Sequence, residues 1–370
     1  MPGSIQTFWR RVSDGIAVNQ LWAQFRAEAR ESYTFYSKEV DFARAEGESG
    51  GKRFWRIAQA LFWALMMKLS PGRRVLFMVA LVLLVLPGFR IQRGDFYFEM
   101  DNLSFFGGIV MLILLALELA DRVAMKRDLE IAREIQGWLM PSSAPQIPGV
   151  DIAFATRPAN TVAGDYYDAF FRPGAEGERL LLVVADVAGK SMPAALLMAT
   201  LQASLRTLAA IPSTLPELAT RLNQYACAQS MAGQRFTTAF LAELETATGQ
   251  MIYVNAGHNW PLLRHGTGVL ERLEAGGLPF GIKPDAKYDS GTTQLGAGDL
   301  LLIFTDGLVE AENEKQDEYG EPRLLNSFNT ALGGTASDAL KRIMTAVDGF
   351  VGPTRQHDDI TCLVLRTYAA

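Results

Sequence analysis

Two apolar blocks in the first third of the chain restrict its fold more than any other feature. Val75 to Leu86 carries no polar side-chain atom, and Leu103 to Ala120 is interrupted only by Ser104 and Glu118. A membrane-spanning helix needs about 20 such residues, within a range of roughly 17–25, so the first block is short and the second adequate. The competing explanation is a pair of helices buried in a soluble core. Charge asymmetry favours the membrane. Lys52, Arg53, Arg56, Lys68, Arg73 and Arg74 precede the first block, and Arg122, Lys126, Arg127 and Arg133 follow the second. The connector, Arg90 to Asn102, has only Arg90 and Arg93 as basic residues. The positive-inside rule therefore predicts a hairpin with spans at 73–90 and 103–120, both chain ends in the cytoplasm, and contact with membrane lipid. Residues 54–69, aromatic and apolar with interspersed charge, read as a helix lying on the inner leaflet, completing a membrane region at 54–120. No short signal segment with a cleavage site precedes the blocks.

The rest is ordinary in composition. With 370 residues, 49% hydrophobic, there is enough chain for about two domains. A net charge of -5 argues against nucleic acid as a partner, because a phosphate backbone demands a basic face. Two cysteines, Cys227 and Cys362, exclude a disulfide scaffold and a multi-cysteine zinc site. Residues 1–53 are polar with scattered aromatics and suggest no activity. Residues 121–141 form a charged helical linker stopped by Pro141, Pro145 and Pro148; Ile131, Ile135 and Trp138 share one face that suits pairing with a second copy.

From Val150 onward strands and helices come in runs. Strands are expected from Val150, at 180–187, 236–244, 251–255, 300–305 and 360–365, and helices at 193–210, 215–230 and 336–350. Helices between hairpin-like strand pairs, without regular βαβ alternation, predict an α+β layered domain over 142–368.

Acidic residues fall at the ends of these strands. Asp165 follows Gly164, Asp186 ends the 180–186 run, Asp306 follows the 300–305 run, and Asp358 and Asp359 precede the last strand. A single strand-terminal carboxylate is usually a turn or cap. Four such sites with few basic neighbours suit a hard divalent cation, Mn²⁺ or Mg²⁺. Four carboxylates can hold two ions about 3.5–4 Å apart and direct a hydroxide onto a phosphate. Spacing alone does not show that these strand ends converge.

Other phosphate chemistries fail on inspection. Neither cysteine is followed six residues later by arginine, and the chain has no Asp-x-Asp. Gly189-Lys190-Ser191 suggests a phosphate loop, but residue 184 is Val rather than the required Gly, and Asp186 would put negative charge into the cradle. His258, His265 and His357 match no helix-borne metal spacing, although His357 stands beside Asp358.

Five segments, in order, resemble the bacterial PPM-type (PP2C-like) serine phosphatases, in the branch of sporulation stage II E and RsbU-like regulators. They are Ala163-Gly-Asp-Tyr-Tyr-Asp168, Asp186-Val-Ala-Gly-Lys-Ser-Met-Pro-Ala-Ala195, Asn255-Ala-Gly-His-Asn-Trp-Pro261, Thr305-Asp-Gly-Leu-Val-Glu-Ala311 and Asp358-Asp-Ile-Thr361. Ile135-Gln136 with Leu139-Met-Pro141 matches the segment that enters the domain. The resemblance implies an antiparallel β-sandwich flanked by helices in αββα layers, with a two-ion site at one end. It implies that Asp165 and Asp186 ligate the ions, Asp186 bridging, that the Val187 carbonyl adds a ligand, and that Asp306 and Asp358 complete the set with Asp359 adjacent. Gly164 and Gly307 are expected to permit close approach, while Asp168, Lys190, Asn255 and His258 are expected to support the site from behind. The implied activity is hydrolysis of phosphoserine or phosphothreonine on a regulatory protein, an anti-sigma-factor antagonist. A catalytically idle scaffold is the rival. Ala163 and Ser191 stand where glycine is usual, and Ser191 puts the local backbone in question.

Overall fold

The computed structural model describes residues 66–368 apart from 87–88, 94–95, 101, 175–176, 230–234 and 332, together with Trp55, Gln59, Phe62 and Trp63. The expectations for residues 1–53, and for most of the interfacial helix at 54–69, lie outside the described residues. The chain divides into two compact units, residues 1–123 and 124–370.

In the first unit, α1 (Pro71–Val85) starts with proline in its first turn, where the absent N–H costs nothing. At 15 residues it is shorter than the span expected at 73–90. Phe89 and Arg90 lie instead in β1 (Phe89–Arg93), which pairs antiparallel with β2 (Phe96–Met100). The connector is therefore a β-hairpin that begins inside the expected span. Helix α2 (Leu103–Leu139) continues without interruption from the second apolar block into the expected linker. Among the described residues it is the one helix long and apolar enough to cross a membrane. Its apolar residues are mostly uncovered, with Phe105 65% and Leu112 66% exposed, whereas a soluble core helix would bury them. Gly107 lets α2 approach α1: a Cβ there would stand 3.0 Å from the Ala80 carbonyl and the Leu84 side chain. Arg73 is paired with Glu118 and Asp121 at 3.0 and 2.6 Å.

The second unit is a four-layer α+β sandwich. One sheet joins β4 (Tyr166–Gly174), β5 (Gly177–Val187), β6 (Thr237–Leu244) and β7 (Gln250–Ala256) in antiparallel sequence order, and β7 also pairs with β10 (Gly276–Gly277) and β11 (Gly291–Gln294). The other runs β3-β13-β12-β8-β9, formed by β3 (Val150–Arg157), β8 (Leu262–Arg264), β9 (Leu270–Arg272), β12 (Leu300–Phe304) and β13 (Ile360–Thr367).

Period-two alternation explains the layering. Leu180, Leu182 and Val184 of β5 meet Leu301, Ile303, Leu363 and Leu365 between the sheets. The intervening Leu181, Val183 and Ala185 face Met198, Leu205, Leu218 and Leu222 of α3 (Met192–Ala209) and α4 (Leu215–Gln229). Leu300, Leu302 and Val364 face Phe328, Leu340 and Ile343 of α5 (Gly320–Thr330) and α6 (Ala336–Val351). Strands covered on both faces read as continuous apolar runs, which is why 180–187, 300–305 and 360–365 were visible in the sequence. Helix α6 starts at a capping box, with Thr335 Oγ1 accepting from the Asp338 amide while the Asp338 carboxylate accepts from the Thr335 amide.

Candidate metal centre

Topology brings the expected aspartates to one end of the sandwich. Asp165 immediately precedes β4, and Asp186 lies near the end of its neighbour β5, so the two flank the Tyr166–Ala185 pair. Asp306 follows β12, and Asp358 and Asp359 precede β13, both just beyond the Phe304–Cys362 pair. Each sheet thus contributes one adjacent antiparallel pair, and in each pair one strand begins where the other ends.

Threonine hydroxyls tie the strand ends together here, and Thr305 reaches across to the other sheet. Thr305 Oγ1 donates to Asp165 Oδ2 at 2.9 Å and accepts from the Thr361 amide at 2.9 Å. Thr361 Oγ1 shares a hydrogen bond with Thr156 Oγ1 at 2.9 Å. Asp165, Thr305 and Thr361 are at most 1% exposed, so the two Thr305 contacts form without competition from water. Thr305 and Thr361 stand at the edges of two of the five resembling segments, which assign them no role. The available signal was a β-branched hydroxyl residue directly beside the acidic positions.

The electrostatics follow from crowding like charges. Burial, then the Asp186 charge, holds Asp165 well above the usual carboxylate range. Asp186 is pushed up to about 7, first by burial and then by Asp306, Asp358 and Asp359. Burial followed by Asp358 raises Asp306, and burial raises Asp359. Carboxylates held this way prefer a proton or a cation. Hard oxygen donors with unmet negative charge have the chemistry that Mg²⁺ or Mn²⁺ requires, so the donor set fits such ions.

Asp358 and Asp359 also have protein partners. Asp358 Oδ2 faces Lys190 Nζ at 3.0 Å, and its Oδ1 accepts from the Asp359 amide at 2.9 Å. Asp359 accepts from the amides of Ala159 at 2.7 Å and Gly164 at 2.6 Å. Among the described residues, no three His, Cys, Asp or Glu side chains are gathered tightly enough to hold an ion as they stand.

One glycine is required by space and a second sits in a tight one. A Cβ on Gly307 would fall 2.1 Å from the Asp359 carbonyl oxygen, which no side chain can occupy. A Cβ on Gly164 would crowd the Val187 carbonyl and the Ala194 side chain, each at 3.1 Å. That places the Val187 carbonyl beside the Gly164-Asp165 turn.

The supporting motif residues each have a task in the fold. Asp168 is fully buried and accepts from the Tyr166 hydroxyl at 2.5 Å and bidentately from Arg206 at 2.8 Å, tying α3 to β4. Asn255 exchanges hydrogen bonds with the His258 backbone at 2.7 and 3.0 Å, which aims the His258 ring between the sheets. There its Nδ1 meets Thr238 Oγ1 at 3.1 Å, and Thr238 is the ladder partner of Asp186. Burial lowers the His258 pKa to about 4, so the ring is a neutral wedge rather than a proton carrier. His265 binds Asp299 and Glu271 away from this end, and His357 lies 3.8 Å from Glu312. Gln136, a member of the entry segment, pairs with the Ala163 backbone two residues before Asp165. Ser191 has φ 61 and ψ -143, a region that glycine alone occupies readily.

Comparison with known proteins places this architecture. A family model described as stage II sporulation protein E (SpoIIE) matches residues 176–368. The chain is similar to phosphoserine phosphatase RsbU of Bacillus subtilis (strain 168), 29% identical over 244 residues, covering 65% of this chain and 70% of that one. It is similar to protein IcfG of Synechocystis sp. (strain ATCC 27184 / PCC 6803 / Kazusa), 26% identical over 280 residues, covering 68% of this chain but only 43% of the longer IcfG. Among solved structures, the SiaA-PP2C domain of Pseudomonas aeruginosa matches with a TM-score of 0.57 at 19% identity, covering 67% of this chain and 98% of that domain. That likeness concerns the fold.

Proposed function

The chain belongs to the stage II sporulation protein E (SpoIIE) family, with a PP2C-type phosphatase domain, and from that premise we propose a membrane-tethered, metal-dependent protein phosphatase. The observation that carries the reading is the convergence of Asp165, Asp186, Asp306 and Asp358 at one end of the sandwich, with Asp186 pushed up to about 7 by burial and its acidic neighbours. Asp165, Asp186, the Val187 carbonyl, Asp306 and Asp358 are the ligands in this reading, and Asp359 organises the loop through Ala159 and Gly164. Divalent ions supply a nucleophilic hydroxide at neutral pH and electrophilic contacts to the phosphoryl oxygens. The chain supplies the rest. Thr305 fixes the orientation of Asp165, and Gly307 keeps the Asp306 turn against the 358–359 loop. In the reaction, water oxygen bonds to phosphorus, the ester P–O bond breaks, and the serine or threonine oxygen leaves with a proton; no covalent enzyme intermediate is required.

The substrate class is phosphoserine or phosphothreonine on a bacterial regulatory protein, an anti-sigma-factor antagonist by likeness to RsbU, whose name records a phosphoserine phosphatase. Tethering rests on the exposed apolar half of α2, with α1 as the short second arm of a hairpin in the cytoplasmic membrane and the phosphatase domain at 142–368 in the cytoplasm. Ile131, Ile135 and Trp138 are 46%, 46% and 74% exposed on the linker, which supports pairing of two copies there. Residues 121–141 then transmit a signal through Gln136 to the Ala163-Gly164-Asp165 turn. A binding module that keeps the fold without catalysis is the alternative, favoured by the commitment of Asp358 to Lys190.

The test is Mn²⁺-dependent phosphate release from an aryl phosphate and a phosphoserine peptide. The full chain should require the ion, and Asp306→Asn should reduce the rate at least about 100-fold, the scale of losing a group that stabilises transition-state charge. An unchanged rate in Asp306→Asn overturns the assignment of the site.

A further inference from the structure

The same end of the sandwich opens into a cavity of about 440 Å³ whose lining includes Lys190, Gly307, Glu310, Glu312, His357 and Asp358. The charged residues of this lining are mostly acidic, so a phosphate dianion entering it meets repulsion unless a cation faces it. The cations on the wall differ in how free they are. Arg157 is held bidentately by Asp348 at 2.5 and 3.1 Å, and the His357 ring faces Glu312. Lys190 is differently placed. Its side chain is 59% exposed, at the apex of the turn between β5 and α3, four residues after Asp186 near the end of β5. Backbone with positive φ on both sides, at Gly189 and Ser191, turns this residue outward.

The Lys190 ammonium has three N–H donors. One reaches Asp358 Oδ2 at 3.0 Å and one the His357 carbonyl at 2.9 Å. The third is left for a ligand. We propose that Lys190 is the phosphoryl-contacting residue of this site, donating to an oxygen of the phosphoserine group seated in the cavity at the carboxylate end. The proposal rests on the phosphatase reading and adds to it a residue that touches substrate rather than supporting the turn from behind. Lysine suits the role because its compact charge contacts phosphate from many directions on a flexible stem. The placement follows too: the end of β5 provides a carboxylate for ions, and the turn after it an ammonium for the dianion they act on.

The experiment compares the full chain with Lys190→Met and Lys190→Arg in three measurements: the Kd of inorganic phosphate by thermal shift with Mn²⁺ present, KM for an aryl phosphate, and the Mn²⁺ Kd by calorimetry. Lys190→Met should raise both the phosphate Kd and KM about tenfold, the scale of one charge-assisted hydrogen bond, with Mn²⁺ affinity within about twofold of the parent. Lys190→Arg should restore most of the phosphate affinity. If Lys190→Met leaves the phosphate Kd and KM unchanged while the parent hydrolyses the ester, this inference is wrong and the phosphatase reading stands. If phosphate affinity falls only in proportion to lost Mn²⁺ affinity, Lys190 is an anchor between two loops and the inference is again overturned. A parent that neither binds Mn²⁺ nor hydrolyses the ester removes both.

Discussion

Gln136 and Ala163 exchange two hydrogen bonds: Gln136 Nε2 donates to the Ala163 carbonyl at 2.7 Å, and the Ala163 amide donates to Gln136 Oε1 at 3.0 Å. The amide side chain thereby acts as a short strand partner for the turn that carries Asp165. Replacing it with alanine removes both bonds, each worth about 0.5–1.5 kcal/mol. Gln136→Ala should weaken Mn²⁺ binding severalfold, read by calorimetry, while shifting overall stability by about 1–3 kcal/mol. Gln136→Glu, which loses the donor but keeps the acceptor, should fall between the two.

Stability without divalent ions should depend on pH in an unusual direction. Asp186 sits at about 7 in the folded chain against an ordinary value of 3.8, and Asp165 is raised as well. A carboxyl raised on folding stabilises the fold fully below its unfolded pKa, and that contribution is lost as pH rises through the folded value. Chelator-treated protein should therefore lose thermal stability from about pH 4 to pH 7. The stabilisation given by saturating Mn²⁺ should grow over the same window, because the ion binds the deprotonated groups. A Tm increment independent of pH contradicts the account.

Ser191 is held where a Cβ is strained, at a cost of about 1–3 kcal/mol. Ser191→Gly should relieve that strain. Glycine returns about 0.5–1 kcal/mol through unfolded-state entropy, leaving a net gain of roughly 0.5–2 kcal/mol. Urea denaturation measures it.

Arg206 lies 3.8 Å above the Phe170 ring and clamps Asp168. Arg206→Met should destabilise by about 2 kcal/mol or more, because it leaves a fully buried carboxylate with only Tyr166 and an amide. Lysine should rescue little, since it cannot reproduce the bidentate fork. Denaturant midpoints of the three proteins decide this.

These relationships also mark where the sequence was readable. β5, β12 and β13 are covered on both faces, so their apolar runs announced them, and the aspartates at their ends could be named in advance. β4 went unassigned because it carries Asp168, Arg172 and Pro173, residues that argue against a buried strand. Asp168 is satisfied by Arg206, and Arg172 by Glu243 and the Ser213 carbonyl, partners 38, 71 and 41 residues away. Helix α5 was hidden by a start at Gly-Glu-Pro. The first apolar block predicts a span to residue 90, yet helix α1 ends at Val85 and β1 begins at Phe89. At the carboxylate end, Thr305 and Gln136 were silent for the same reason: their roles are hydrogen bonds to segments distant in sequence, which no local pattern records.

The most direct measurement is calorimetric titration of the full chain with Mn²⁺ at pH 7.5, beside Asp186→Asn. The account predicts binding of two ions to the parent and loss of that binding in the variant, since Asp186 stands between the two sheets' carboxylates. No binding to the parent, or equal binding to both proteins, would contradict it.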